Sequence, residues 1–170
     1  MGSLSTLKVL IVDPAKSLRD VLPTALNGAG IFDVKRLAEW PAASPSATSG
    51  RHLLFIDWDA GPQEAIGLAR ALRVRGASSW NPQLPVIMVM GQANAPAIRQ
   101  MRDCGVNEML LKPLTTAAVM DRLSRVILKP RPFIDCQSYF GPDRRRRGNQ
   151  PFGGPFRRRA DGAQAIWLVD

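Results

Sequence analysis

Residues 52–59 read His-Leu-Leu-Phe-Ile-Asp-Trp-Asp. From Leu53 to Ile56 the run is apolar without alternation, and it stops at an acid. A strand with one wet face alternates apolar and polar residues. An unbroken run this short therefore predicts a strand covered on both sides. The same shape recurs in residues 7–13, LKVLIVD, and in residues 84–91, LPVIMVMG. Residues 108–113, EMLLKP, and residues 31–38, IFDVKRLA, make two shorter strands. Helical spacing fills the intervals. Leu18, Val21, Leu22 and Leu26 fall on one face of residues 16–29, where Pro23 should kink or shorten the helix. Ile66, Ala69 and Leu72, with Leu68 beside them, define a helix over residues 62–75 whose Arg70, Arg73 and Arg75 are expected in solvent. Ile98 and Met101 point inward from residues 94–104. Val119, Met120, Leu123, Val126 and Ile127 do so from residues 115–128. Residues 39–50, with two prolines, read as a loop or a badly formed helix, and residues 76–83 as a loop.

Strands alternating with helices define an α/β protein, a doubly wound five-stranded parallel sheet with helices on both faces. Ligands meet such sheets at the carboxyl ends of the strands. Asp13, Asp57 and Lys112 fall at three of those ends.

From Lys129 onward neither period continues. The boundary falls at Lys129 to Pro132, giving a globular domain over residues 1–130 and an arginine-rich tail over residues 131–170. The tail is expected to be mobile until it binds something. Seven of its arginines fall in two clusters, Arg144, Arg145, Arg146 and Arg147, then Arg157, Arg158 and Arg159. A Phe and a Gly-Pro element precede each cluster, at Phe140-Gly141-Pro142 and at Phe152 to Phe156. One acid accompanies each, Asp143 or Asp161. Two similar arms suit a ligand with two similar halves. The last residues, AIWLVD, either dock on the domain or close over a ligand.

The formal charge is +9, and only seven of the 23 cationic side chains lie beyond residue 132. Basic character is thus general, and its clustering is particular to the tail. The balance favours anionic partners. Two cysteines make no disulfide framework and suggest a reducing compartment. No signal peptide or membrane-length apolar run is visible, so the expected location is cytoplasmic.

With Asp13 after the first strand, Asp57 after the third and Lys112-Pro113 after the fifth, residues 7–128 resemble the receiver domain of two-component response regulators. The resemblance implies that Asp57 corresponds to a phosphoacceptor served by Mg²⁺ and that Lys112 corresponds to a phosphoryl contact. Three positions depart from the pattern. Pro14 stands where receivers carry a second acid, Met90 where they offer a Ser or Thr hydroxyl, and Met109 where they place a switch aromatic. Mg²⁺ demands an oxygen-rich octahedral shell, and phosphoryl transfer needs metal and donors to neutralise charge. Asp13, Asp57 and Lys112 therefore read as a degenerate phosphoacceptor pocket without a metal. Lys112 is expected to pair with Asp57 or Asp13, and Asp59 offers a steric substitute for the missing acid. In the family the helix over residues 94–104, the strand after it and the helix over residues 115–128 form the usual output face.

A receiver followed by RPFIDCQSYFGPDRRRR and a further arginine cluster resembles the Cle proteins, CheY-like regulators with an arginine-rich tail. That resemblance implies a non-enzymatic effector whose tail binds cyclic di-GMP. The loaded protein would dock on the flagellar motor switch protein at the flagellar base and alter motility and surface attachment. The chemistry is reasonable. A guanidinium fork matches the O6 and N7 acceptors of guanine, pairs with phosphate bidentately and stacks on bases. A carboxylate accepts from guanine N1–H and the exocyclic amine. Arg158-x-x-Asp161 has that composition, and Asp143 to Arg147 offers it in reverse. Tyr139 is expected to stack on a base, since its surroundings look unable to form a core. Trp167 is either a second platform or a docking residue. Base stacking of this kind contributes about 1–3 kcal/mol. Two arms suggest capture of a ligand dimer.

Plainer readings apply to single features. An arginine run by itself is most often a solvated or weakly nucleic-acid-binding tail. The Phe-Gly-Pro elements read as turns. His52 has no partner at metal-ligand spacing and reads as structural. Cys104 belongs to a buried helix face, and the Met residues to the core.

Overall fold

The computed structural model of this chain describes residues 4–40, 52–74, 81–144 and 164–166. Five strands form one parallel sheet: β1 (Lys8–Val12), β2 (Asp33–Leu37), β3 (Leu53–Asp57), β4 (Val86–Met90) and β5 (Glu108–Leu111). Their order is β2-β1-β3-β4-β5. Four helices are described: α1 (Val21–Gly28), α2 (Pro62–Ala71), α3 (Ala95–Asp103) and α4 (Thr116–Ile127). The expected doubly wound α/β architecture is the one observed.

The unbroken apolar runs have the predicted cause. Val9, Ile11, Leu53, Phe55, Ile87 and Val89 face α1 and α4, while Leu10, Val12, Leu54, Ile56, Met88 and Met90 face α2 and α3. Both sets are buried. At about 1.5–3 kcal/mol per fully buried large side chain, the two faces together hold the sheet between its helices. Asn94 caps α3 and Thr115 caps α4, each side chain accepting a backbone N–H from three residues on. Pro23 shortens α1, as the sequence suggested. The helix starts at Val21, which leaves Pro23 in its first turn, where a missing N–H is harmless.

One expectation about α2 is corrected. Arg73 does not point to solvent; it is 7 % exposed. Its Nε donates to Gly105 O at 2.9 Å, Nη1 to Pro82 O at 2.8 Å and Leu84 O at 2.9 Å, and Nη2 to Asn107 Oδ1 at 2.9 Å. Burial pulls its pKa down to about 10, partly offset by Tyr139 and Cys104, and it stays charged at neutral pH. Gly105 turns there with φ +86°, and a methyl group on it would sit 3.0 Å from Arg73 Cγ.

The second correction concerns the start of the tail. Residues 133–144 are not an unstructured linker. Phe133–Cys136 (β6) and Tyr139–Pro142 (β7) form an antiparallel hairpin, and Gln164–Ile166 (β8) pairs with the other edge of β6. Phe140-Gly141-Pro142 is therefore strand, and the turn is at Gln137-Ser138. Phe133 is fully buried with its ring 5.2 Å from Arg73 Cζ. A methyl group on Gly141 would lie 3.1 Å from Gly105 Cα, so the two backbones touch. Of the alternatives for the closing AIWLVD, Ala165 and Ile166 take the docked one. Trp167 lies outside the described residues.

Arg73 thus joins α2, β4, β5 and the hairpin. Arg73→Ala should cost about 3–5 kcal/mol in denaturant unfolding, because several buried acceptors lose their donor at once. Arg73→Lys should recover only part of that loss, since an ammonium cannot reproduce the planar fork.

Candidate functional site: a closed carboxylate pocket and an arginine seat

The carboxyl ends of β1, β3 and β5 bring Asp13, Asp57 and Lys112 together, as the spacing predicted. Asp57 is fully buried and Asp13 is 5 % exposed. Lys112 Nζ donates to Asp57 Oδ1 at 2.9 Å, to Asp59 Oδ2 at 2.8 Å and to Ser17 Oγ at 3.0 Å. Ser17 Oγ in turn donates to Asp57 Oδ2 at 2.7 Å. Asp13 does not pair with Lys112. Its two oxygens accept the backbone N–H groups of Ser17 at 2.9 Å and Leu18 at 2.8 Å, which fixes the turn before α1. Asp59 also accepts from Gly91 N at 2.8 Å, tying β3 to the end of β4.

An ammonium has three N–H groups, and all three of Lys112 are engaged inside the pocket. Burial alone would lower its pKa, but the bonds and charges of Asp59 and Asp57 outweigh burial, so the ammonium is held above its usual range. That contribution to stability is complete at neutral pH and is lost only as the pH rises through the raised value. The Mg²⁺ of the resembling family does not fit. Pro14 supplies no carboxylate, both oxygens of Asp13 are committed to backbone amides, and a cation already lies between Asp57 and Asp59. Among the described residues no group of three or more His, Cys, Asp or Glu side chains could hold a metal ion. Met90, where a hydroxyl was wanted, is buried in the core. Ser17 was missed in the sequence. The signal was its place four residues after Asp13, the reach over which an aspartate caps a turn.

The tail residues divide. Tyr139, Asp143 and Arg144 are described; Arg145, Arg146, Arg147, Arg157, Arg158, Arg159, Asp161 and Trp167 lie outside the described residues. The surroundings of Tyr139 do form a core, contrary to expectation. Tyr139 is 9 % exposed, and its hydroxyl donates to Pro142 O at 2.8 Å. Arg144 covers the ring with Cζ 3.9 Å from the centroid, and its Nη1 pairs with Asp103 at the end of α3 at 2.5 Å. Asp143 donates its backbone N–H to Pro132 O at 2.8 Å and accepts from Arg131 Nη1 at 2.8 Å. Arg131 also donates to Asn107 O and lies 3.8 Å from Glu108. A groove of about 290 Å³ opens between α3, β5 and the hairpin, with Ile98, Met101 and Met109 in its lining and Arg102, Arg131 and Arg144 beside them. His52 accepts from Lys8 N and is structural. Cys104 is buried in the core, with its thiol pushed up to about 11 by burial.

A parallel sheet in this strand order, with two acids and a lysine at its carboxyl edge, has the receiver fold. The relatives agree. The chain is 28% identical over 121 residues to the chemotaxis protein CheY of Pseudomonas aeruginosa, covering 71% of this chain and 95% of that protein. It is 26% identical to CheY-3 of Vibrio cholerae, covering 71% of this chain and 91% of that protein. Among solved structures, CheY4 of Vibrio cholerae superposes with a TM-score of 0.59 at 20% identity over 71% of this chain and 98% of that one. A signal receiver domain from Clostridium thermocellum does so with 0.62 at 17% identity, over 72% and 98%. No family model matches the chain. Over 71% of its length the chain is thus similar to CheY proteins, at modest identity.

Incubation with acetyl phosphate and Mg²⁺ should leave the intact mass of the chain unchanged under conditions that modify an ordinary receiver. Mg²⁺ alone should not raise its melting temperature.

Proposed function

We propose that this chain is a Cle-type effector. Its arginine-rich tail captures cyclic di-GMP, and its receiver-like domain then engages the flagellar motor switch protein. The observation that carries this reading is the closure of the carboxylate pocket. Lys112 uses three donors within the protein, and each oxygen of Asp13 already accepts a backbone amide. A receiver closed in this way needs another input, and the chain supplies a chemically suitable one in its clustered arginines.

The support continues at the tail. The first cluster begins at Arg144, on a hairpin packed against α3 and β5. In the resembling family that side of the domain belongs to the output face. A ligand gripped there would sit beside the surface that a partner reads. Guanidinium groups offer forks to guanine and to phosphate, and the two clusters suit the two halves of a cyclic dinucleotide or a stacked ligand dimer. No helix among the described residues is long and apolar enough to cross a membrane.

Phosphorylation at Asp57 is the second reading, favoured by the retained pairing of Lys112 with Asp57 at 2.9 Å. Nucleic-acid binding by the basic tail is the third, and it would show a steep loss of affinity with salt.

Calorimetric titration of cyclic di-GMP into the full chain tests the reading. Binding is expected, and Ala at positions 145–147 and 157–159 together should weaken it at least a hundredfold with unchanged thermal unfolding. Unchanged affinity in that variant would remove the arginines from the site. No binding by the unaltered chain would sink the messenger reading.

A further inference from the structure

Arg144 holds a seat with one conspicuous defect. Its Nη1 reaches Asp103 at 2.5 Å, and its plane covers Tyr139 at 3.9 Å, but its Nε is buried with no hydrogen-bond partner. Among the described residues it is the only buried side-chain polar atom in that condition. A buried donor without an acceptor is a net cost to the docked state. The acceptor that Arg144 does have is poor competition for an anion, because Asp103 is 54 % exposed and its charge is screened by water. A phosphate offers two oxygens to the Nε and Nη edge of a guanidinium at once. It would supply the bond that Asp103 contributes and the one that the seat lacks. Asp103 would meanwhile repel the incoming anion while it stays close.

We propose that Arg144 is an exchangeable latch: without ligand it pins the hairpin to α3 through Asp103 and Tyr139, and an anionic nucleotide caught by the tail takes the same guanidinium away. This rests on the proposed ligand and adds the regulation of that site. The two uses of Arg144 exclude each other, so nucleotide affinity and hairpin docking are linked and each weakens the other. Release uncovers the Tyr139 ring and loosens the wall of the groove beside Ile98 and Met101. The event at the tail thereby becomes a change on the α3 side of the domain. Tyr139 acts through Arg144 in this scheme.

The full chain allows a clean test because it contains one tyrosine. Fluorotyrosine incorporated there reports whether the guanidinium covers the ring. Saturating cyclic di-GMP should move the ¹⁹F resonance to the position that ligand-free Arg144→Ala shows. Asp103→Asn should tighten binding about three- to tenfold in calorimetry. Asp121→Asn, an equal charge change on α4 where Asp121 pairs with Arg122 and Arg125, should tighten it less than twofold. Binding with an unmoved resonance, or equal effects of the two aspartate variants, would overturn the latch and leave the ligand reading standing. Absence of binding by the unaltered chain would remove both.

Discussion

Asp57 ends the central strand of the sheet with none of its side chain in contact with solvent. A carboxylate in that position must be neutralised within the protein or it destabilises the fold by several kcal/mol or more. Lys112 meets the need, and it comes from beyond the far edge strand. One ammonium therefore joins the end of β5 to the end of β3, and through Ser17 to the turn after β1. Two of the gaps between strand ends are closed by this ion. At this edge Asp57, Asp59 and Lys112 answer one another within the protein. The pocket has become a clamp, and Asp59 extends it to Gly91 at the end of β4.

A buried cation does comparable work at the opposite end of the strands. Arg73 has four acceptors, three backbone carbonyls from two segments and one side chain, and the Phe133 ring lies against it. Phe133 opens β6, so the hairpin that leads into the arginine clusters is rooted on the same guanidinium that fixes Gly105 and Asn107. The tail is consequently not an appendage from its first residue. Its root is part of the domain, and Arg144 closes it with one exposed ion pair and one buried nitrogen that has no partner.

The fold was readable because burial on both faces leaves an unmistakable mark. LLFI and VLIV have no polar position to alternate with, and each ends at the acid that marks a strand terminus. Pro23 also read correctly, since its ring excludes only the helix before it. The failures have separate physical sources, and the first is that long polar side chains are expected in solvent. Arg73 falls seven residues after Ile66 and four after Ala69, which is the buried face of α2. The spacing pointed inward, while the residue type pointed outward. The stretch KPRPFIDCQSYFGPD looked coreless because its apolar residues are sparse. A short hairpin needs only one buried side on each strand, and Phe133, Cys136 and Tyr139 provide it against a domain that is already folded. Tertiary contacts of that kind have no local period to reveal them. The pocket was half legible. The three family positions placed Asp13, Asp57 and Lys112 at one edge, but no local signal said that Asp13 would be spent on the backbone of Ser17 and Leu18.

The difference between Arg73 and Arg144 shows how the same side chain serves two ends of one structure. Arg73 has all three nitrogens bonded to acceptors held by the folded chain, three backbone carbonyls and the Asn107 side chain, and removing any one element would leave buried groups unpaired. Arg144 has one exposed acceptor, one aromatic face and one donor left over. The first arrangement is stable because nothing outside the protein can offer it more. The second is open to exchange because a phosphate can. Seen from the pocket, this asymmetry is coherent. At the sheet edge Lys112 already has three acceptors within the protein and leaves little for a phosphoryl group to gain. Charge at the root of the tail is compensated only in part, and that is where an anion from outside would change the structure most.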